Sequence, residues 1–207
     1  MFLEVFVIGI LTGMSPGPDF LMVMRNSLTH GKNIGIATAG GIGAALIFHA
    51  TYTVLGLTLV IQSYIWLFEI LQVLGAAYLA YLGIGGIRSL FQAQKLALTT
   101  ETEPPVEPKN LWQGFKNGFL CNLLNPKAFL FFLGIFSQLF SPDTAKWIEW
   151  IYAFEIVLAT SLWFVFLSVF ISIDFFRRGY ERTQKAIDGI FGGILMYFSY
   201  RIVKDVF

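Results

Sequence analysis

Residues 15–20 read SPGPDF and interrupt the apolar run of residues 2–24. Proline and glycine are poorly suited to a helix interior, and a carboxylate is poorly suited to lipid. A similar interruption, NLLNPKAF, lies at residues 122–129 within another apolar run. Aligning the two stretches on their prolines places Pro18-Asp19 on Pro126-Lys127, so both halves carry a proline break followed by a charge of opposite sign.

The composition indicates that the solvent around these runs is lipid. The 207 residues are 56% hydrophobic and only 13% charged, against about 25% charged in soluble domains. The apolar residues form long runs instead of amphipathic stripes, which is typical of a polytopic membrane protein with the bilayer as its main partner. The net charge of +1 and the absence of a basic block give no indication of nucleic-acid binding.

Six apolar segments have about the 20 residues that a bilayer-crossing helix needs. Backbone groups in lipid must pair internally, so the predicted fold class is an all-α membrane protein with six transmembrane helices. A polar stretch rich in glutamate and proline divides it into a first three-helix repeat (1–91), a linker (92–116) and a second three-helix repeat (117–207). The predicted spans are 2–24, 34–61, 64–90, 117–140, 147–172 and 186–206.

Basic residues set the expected orientation. Lysine and arginine cluster in the loop after the first span, around the linker and before the last span, whereas the opposite loops hold only Lys146. The positive-inside rule then puts both termini outside and the linker in the cytoplasm, although Arg201 and Lys204 argue the other way. Three spans per half would make the halves an inverted repeat.

Interrupted helices at corresponding positions of two repeats are the best sequence indication of a transporter's substrate site. Proline at the first turn of a half-helix lacks an N–H group that would have had no partner there, and Ser15 or Asn125 could cap the new N-terminus. Such an N-terminus can hold a substrate carboxylate. The candidate substrate-binding residues are Ser15, Pro16, Gly17, Pro18, Asp19, Asn122, Asn125, Pro126 and Lys127.

Asp19 and Lys127 lie at membrane depth, where an ionisable residue normally faces a cavity or a partner. We expect the two to face one cavity. The structural alternative is a pair of helix kinks without a ligand, with Lys127 reaching toward the interface and Asp19 capping the half-helix.

Three residues are candidates for proton coupling: Asp19, Glu155 and His49. Glu155 lies inside the fifth span, where a protonated glutamate joining two helices is an equal alternative. For His49, in the second span, packing with satisfied hydrogen bonds is the favoured interpretation and a proton relay is the minority one. Asp188 is placed at the start of the last span, where it would stabilise the helix N-terminus.

No cofactor or metal site is predicted. The single cysteine, Cys121, excludes a disulfide framework and a thiol relay, and the two histidines lack partners at ligand spacing. Small residues recur at four-residue spacing through Gly35, Ala39 and Gly43, which favours close helix packing within the bundle or a homodimer seam.

The stretches SPGPDFLMVMRNSLTHGKNIGIATAGGIGAA and GFKNGFLCNLLNPKAFLFFLGIF resemble the signature of the LysE/RhtB-type family, the lysine exporter superfamily. The resemblance covers nearly the whole chain and is greatest to the branch of threonine, homoserine and homoserine-lactone efflux proteins. It implies a six-helix exporter of a small amino acid in the bacterial inner membrane, driven by the proton gradient, and no enzyme activity. The matched positions are Pro16, Gly17, Pro18, Asp19, Asn125, Pro126 and Lys127.

The residues suit three other functions less well than amino-acid efflux. An exporter of an inorganic cation or another small solute is the main alternative, although scattered acids and one cysteine suit a cation poorly. A membrane hydrolase would need a nucleophile–base constellation, and no HExxH or GxSxG motif is present. A purely structural protein would gain nothing from paired charges at membrane depth.

Overall fold

A computed structural model describes residues 2–15, 17–91, 110–141, 143–171 and 173–206, and these ranges form eight helices. The helices α3, α4 and α7, together with Lys185–Lys204 of α8, are each long and apolar enough to cross a membrane. The predicted all-α class is therefore confirmed. The helices are α1 Phe2–Met14, α2 Pro18–His30, α3 Lys32–Ser63, α4 Ile65–Ser89, α5 Leu111–Leu123, α6 Pro126–Leu139, α7 Lys146–Phe170 and α8 Asp174–Val206.

The remaining four helices form two bent pairs, as the prolines predict. Helices α1 and α2 meet at 63°, and α5 and α6 meet at 56°. In each pair the proline is the first residue of the second helix, where its missing N–H costs nothing. Counting each bent pair as one span gives up to six crossings. The opposed orientation of the two halves stays a prediction.

The local backbone corrects two predicted ends of the interrupted spans, the C-terminal end of the first span and the N-terminal end of the fourth. The first span continues to His30 instead of residue 24, because Gly31, with φ of 86°, is the residue that ends the helix. The fourth span begins at Leu111 instead of residue 117, because the Asn110 side chain accepts the Gln113 N–H and caps it there. Capping, and not apolarity, sets both ends.

The boundary of α5 also shortens the predicted linker. Residues 111–116 of the predicted 92–116 segment are helical, and residues 92–109 lie outside the described residues. The apolar span Lys185–Lys204 agrees with the predicted last span of 186–206, whereas the helix that carries it begins earlier, at Asp174. Its first turns are rich in charged and polar residues, so a hydropathy criterion excludes them although they continue the same helix.

Helix α3 lies at the centre of the bundle and packs against α2, α5 and α7, whereas α4 packs mainly against α8. Glycines permit these approaches. A Cβ on Gly41 of α3 would overlap the Phe115 carbonyl oxygen of α5, and one on Gly192 of α8 would lie 2.6 Å from the Gly83 carbonyl oxygen of α4. The predicted ridge also packs within the chain, because Gly43 abuts Ser161. A homodimer stays a prediction.

We expect Gly41→Ala to destabilise the protein by about 3 kcal/mol, because its methyl group would also lie 2.7 Å from the backbone nitrogen of Phe119 and neither backbone atom can move alone. The neighbouring Gly40 is the matched control, since a Cβ there would meet only a Phe115 ring carbon at 3.9 Å. Thermal unfolding of both variants in the same detergent measures the difference. Equal melting temperatures would contradict the close approach of α3 and α5.

Candidate functional site

The two helix breaks meet at the carboxylate of Asp19. Asp19 lies in the first turn of α2, while Asn122 lies in the last turn of α5 and Asn125 precedes α6. Both asparagine side chains donate to Asp19 Oδ2, each at 2.9 Å, across 103 and 106 positions of sequence. The break in one half of the chain is thus hydrogen-bonded to the break in the other.

The side-chain amide of Asn125 makes two hydrogen bonds, one through its oxygen and one through its nitrogen. Its Oδ1 accepts the backbone N–H of Lys127 at 2.9 Å and caps α6, which confirms the predicted role. With the oxygen fixed by the cap, the amide nitrogen is directed at Asp19. Pro126 occupies the first helical position between them. The sequence Asn-Pro-Lys therefore forms the start of α6 and also directs the Asn125 amide nitrogen at Asp19.

The predicted cap by Ser15 is wrong. Gly17 is the N-cap residue of α2 and has no side chain to donate or accept, and Pro18 is the first helical residue. Ser15 instead accepts a hydrogen bond from Lys127 Nζ at 3.1 Å. A Cβ on Gly17 would lie 3.2 Å from the same nitrogen, so glycine leaves the room that the lysine occupies. Pro16 lies outside the described residues.

Asp19 and Lys127 line one small cavity of about 40 Å³, as expected from the sequence. The second carboxylate oxygen of Asp19, Oδ1, is buried and has no hydrogen-bond partner among the described residues. The thiol of Cys121, a weak donor, also lies beside this carboxyl group. An acid and a base therefore share one cavity, and the acid keeps one oxygen for a further donor. The lining includes Thr12, Ser15, Gly17, Asp19, Asn122, Asn125, Lys127, Phe131, Phe132 and Thr160.

Comparison with known proteins identifies the family of the chain. The sequence model of the LysE type translocator family matches residues 10–205. The chain belongs to the LysE type translocator family. It is 30% identical to the threonine efflux protein of Escherichia coli strain K12 over 203 residues, which cover 98% of this chain and 97% of that protein.

Other relatives of this translocator carry less informative names. The membrane protein YahN of Escherichia coli K12 is 29% identical over 95% of this chain and 86% of its own length. YrhP of Bacillus subtilis strain 168 is 32% identical over 89% of each chain. No solved structure matches the chain. Membership of the family makes the protein an integral membrane transporter of a small molecule and not an enzyme.

His49 lies closer to the site of this translocator than the sequence indicated. Its Nε2 is 3.0 Å from the carbonyl oxygen of Asn122, its Nδ1 pairs with the Tyr52 hydroxyl, and its ring stacks on Phe132. Because both ring nitrogens have partners, the packing interpretation agrees with the geometry. His49 supports the α5 end that presents Asn122 to Asp19.

Glu155 is not brought to the two breaks. It lies on α7, and it is not among the described residues that line the cavity, although Thr160 of the same helix is. Thr160 donates to the Gly9 carbonyl oxygen of α1 at 2.8 Å and so joins α7 to the first bent pair. The Glu155 proton-coupling role stays a prediction, without support from proximity to Asp19.

One acid of this translocator, Asp188, does not have the role that the sequence predicted. It lies near the start of the apolar span Lys185–Lys204, as predicted, but α8 begins at Asp174, so Asp188 is inside the helix, with only 4% of its surface exposed, and does not stabilise the helix N-terminus. It lines a second cavity, of about 560 Å³, which also reaches Ser15 and Lys127. The signal for it was its place one turn before the Gly192-Gly193 pair, which marks close packing on α4.

Proposed function

We propose that this translocator exports a small amino acid across the bacterial inner membrane. The observation that carries the proposal is the cavity shared by Asp19 and Lys127, where the two broken helices meet. An amino acid is a zwitterion, and its binding site needs one cation and one anion within a molecule's length. The threonine efflux protein is a relative along nearly the whole chain, which makes threonine the first substrate to test.

Each charge of the substrate has a place in this arrangement. Lys127 and the N-terminus of α2 bind the carboxylate, because this helix start has no side-chain cap and is a positive dipole end. The free Oδ1 of Asp19 accepts the substrate ammonium. Asn122 and Asn125 hold Asp19 Oδ2 and thereby keep the carboxylate in one orientation before the substrate arrives.

The Asp19 carboxylate is also the group that couples efflux to protons in this proposal. A buried acid that binds either a substrate ammonium or a proton exchanges one for the other, which links efflux to the proton gradient. Asp19 is our candidate because it lines the cavity and its Oδ1 has no hydrogen-bond partner among the described residues, whereas Glu155 is not among the described lining residues.

Alternating access would use the two halves as opposed repeats. Helix α1 packs on α7 and α5 packs on α3, so the first helix of each half lies against the second span of the other half. This exchange is the pattern expected of an inverted repeat, and the charges of the loops orient it with both termini outside. The halves then rock around the breaks.

An inorganic cation is a poorer substrate for this site. The Lys127 ammonium group lines the same cavity as Asp19 and would repel a metal ion from the carboxylate. The two amide nitrogens aimed at Asp19 are donors, and they offer a metal no lone pair. Within the described residues, no group of three or more His, Cys, Asp or Glu side chains is placed to hold a metal ion.

The test is an efflux panel. The protein is expressed in a bacterial strain that lacks its own amino-acid exporters, and the cells are loaded with dipeptides that release one amino acid each. We expect faster efflux of threonine or a related small amino acid, and loss of the gain when a proton uncoupler is added. Efflux unchanged for every amino acid would refute the proposal, and a gain that survives the uncoupler would refute proton coupling alone.

A further inference from the structure

The larger cavity, of about 560 Å³, lies between the C-terminal part of α4 and the middle of α8. We call it the vestibule; it is lined by Ser15, Tyr81, Leu82, Ile84, Gly85, Gly86, Arg88, Ser89, Lys127, Asp188 and Phe191. Ser15, Lys127 and Phe191 also line the small cavity, so the two spaces adjoin. The vestibule lies at the end of α4 that precedes the linker, the end predicted to be cytoplasmic.

The vestibule holds an acid that is not used by the site described above. Asp188 is buried, and its Oδ1 has no hydrogen-bond partner within the described part of the chain. Leaving such an oxygen buried and unpaired is costly unless a ligand or ordered water satisfies it. Arg88 of α4 and Lys127 also line the vestibule, so it contains both signs of charge.

Close backbone packing fixes the position of Asp188. A Cβ on Gly86 would lie 2.5 Å from the Asp188 carbonyl oxygen and 3.0 Å from the Gly192 Cα, so α4 and α8 are in contact at this level. The backbone that carries the carboxylate is therefore closely packed on both helices, which is the arrangement expected of a binding group instead of a mobile surface acid.

The two cavities differ in what they can hold. A cavity needs about 10–15 Å³ to accept one water molecule, so the 40 Å³ space between Asp19 and Lys127 accommodates a few waters and no amino acid. The vestibule is large enough for the whole substrate. Lys127 lines the vestibule as well as the small cavity, so an amino acid in the vestibule lies next to it.

We infer that the vestibule is a loading site, where Asp188 binds the substrate ammonium and Arg88 binds its carboxylate before the substrate passes to Lys127 and Asp19. The inference rests on the proposed amino-acid efflux and adds a second binding site for the same substrate. Lys127 lines both cavities. It therefore binds the substrate carboxylate first in the vestibule and still binds it after the small cavity widens to admit the substrate.

The test compares Asp188→Asn with the wild type in proteoliposomes, using L-threonine. A hydrogen bond to a charged group contributes about 1.5–3 kcal/mol, so we expect the KM at the loading side to rise about tenfold or more while the maximal rate stays within about twofold. Asp188→Glu should recover most of the affinity. The control is Glu69→Gln, which removes an exposed carboxylate from the same helix pair, and it should leave KM unchanged.

A competitor separates binding from structural damage. The acid 3-hydroxybutyrate is threonine without its ammonium group, so its competition should be equally weak in the wild type and in Asp188→Asn. Equal loss of affinity for both compounds, or an unchanged KM for threonine, would overturn the loading site while leaving the proposed function intact. A wild type that moves no amino acid would overturn the proposed function itself, and the loading site with it.

Discussion

Asp19→Asn is expected to abolish efflux while the protein still inserts and folds. The asparagine side chain has nearly the same shape, and its amide oxygen can still accept from Asn122 and Asn125. The substitution removes the charge, which binds the substrate ammonium and exchanges a proton. Losing a charged hydrogen bond of about 3 kcal/mol alone lowers transport about 100-fold, and loss of proton exchange removes the remainder.

The measurement is the initial rate of threonine efflux at equal amounts of membrane-inserted protein. Asp143→Asn is the matched control, because it makes the same chemical change in the short segment between α6 and α7, away from the described cavity. We expect it to retain the wild-type rate. Efflux by Asp19→Asn at more than about a tenth of the wild-type rate would mean that Asp19 orients the helix break and does not bind the substrate.

The elements that sequence could predict are those that follow from a single residue's chemistry. Proline cannot continue a helix interior, so the breaks before Pro18 and Pro126 were predictable without any tertiary information. A charge at membrane depth needs a cavity or a partner, which was sufficient to place Asp19 and Lys127 in one space. These predictions hold because lipid leaves few alternatives for a polar group.

The features that the sequence could not predict depend on which of several possible partners a side chain forms a hydrogen bond with. Ser15 precedes a proline break as Asn125 does, yet only Asn125 caps its helix, because Gly17 holds the N-cap position of α2; Ser15 accepts a hydrogen bond from Lys127 of the other half of the chain. Asp19 shares a cavity with Lys127, as expected, but the sequence did not predict that two amides hold its Oδ2. Competition between partners far apart in sequence is decided only by packing.

Asp188 illustrates a different limit. Hydropathy finds where an apolar run begins, and it placed this acid at a helix start because the polar turns before it were excluded. The helix in fact begins at Asp174, so the same residue lies inside the bundle and faces a cavity. The position of a residue relative to a membrane helix end has to come from the backbone, since polar helix formers extend helices beyond the apolar run.

Lys127→Gln is likewise expected to abolish efflux. Glutamine can still donate to Ser15 and has the room that Gly17 leaves, but it carries no charge to bind the substrate carboxylate. The backbone N–H of residue 127 remains capped by Asn125, so α6 should start at the same place. We therefore expect normal amounts of folded protein and at least a tenfold loss of efflux, measured with Lys146→Gln at the start of α7 as the matched control.

A second compound identifies which substrate group Lys127 binds. Threonine amide keeps the ammonium of threonine and lacks its carboxylate, so it should compete poorly with threonine in the wild type. If Lys127 holds the carboxylate, Lys127→Gln weakens threonine binding at least tenfold and leaves the weak binding of the amide unchanged, and the two compounds become similar competitors. Equal weakening of both would assign Lys127 a structural role through Ser15. Full transport by both Lys127→Gln and Asp19→Asn would place the substrate outside the meeting point of the two breaks.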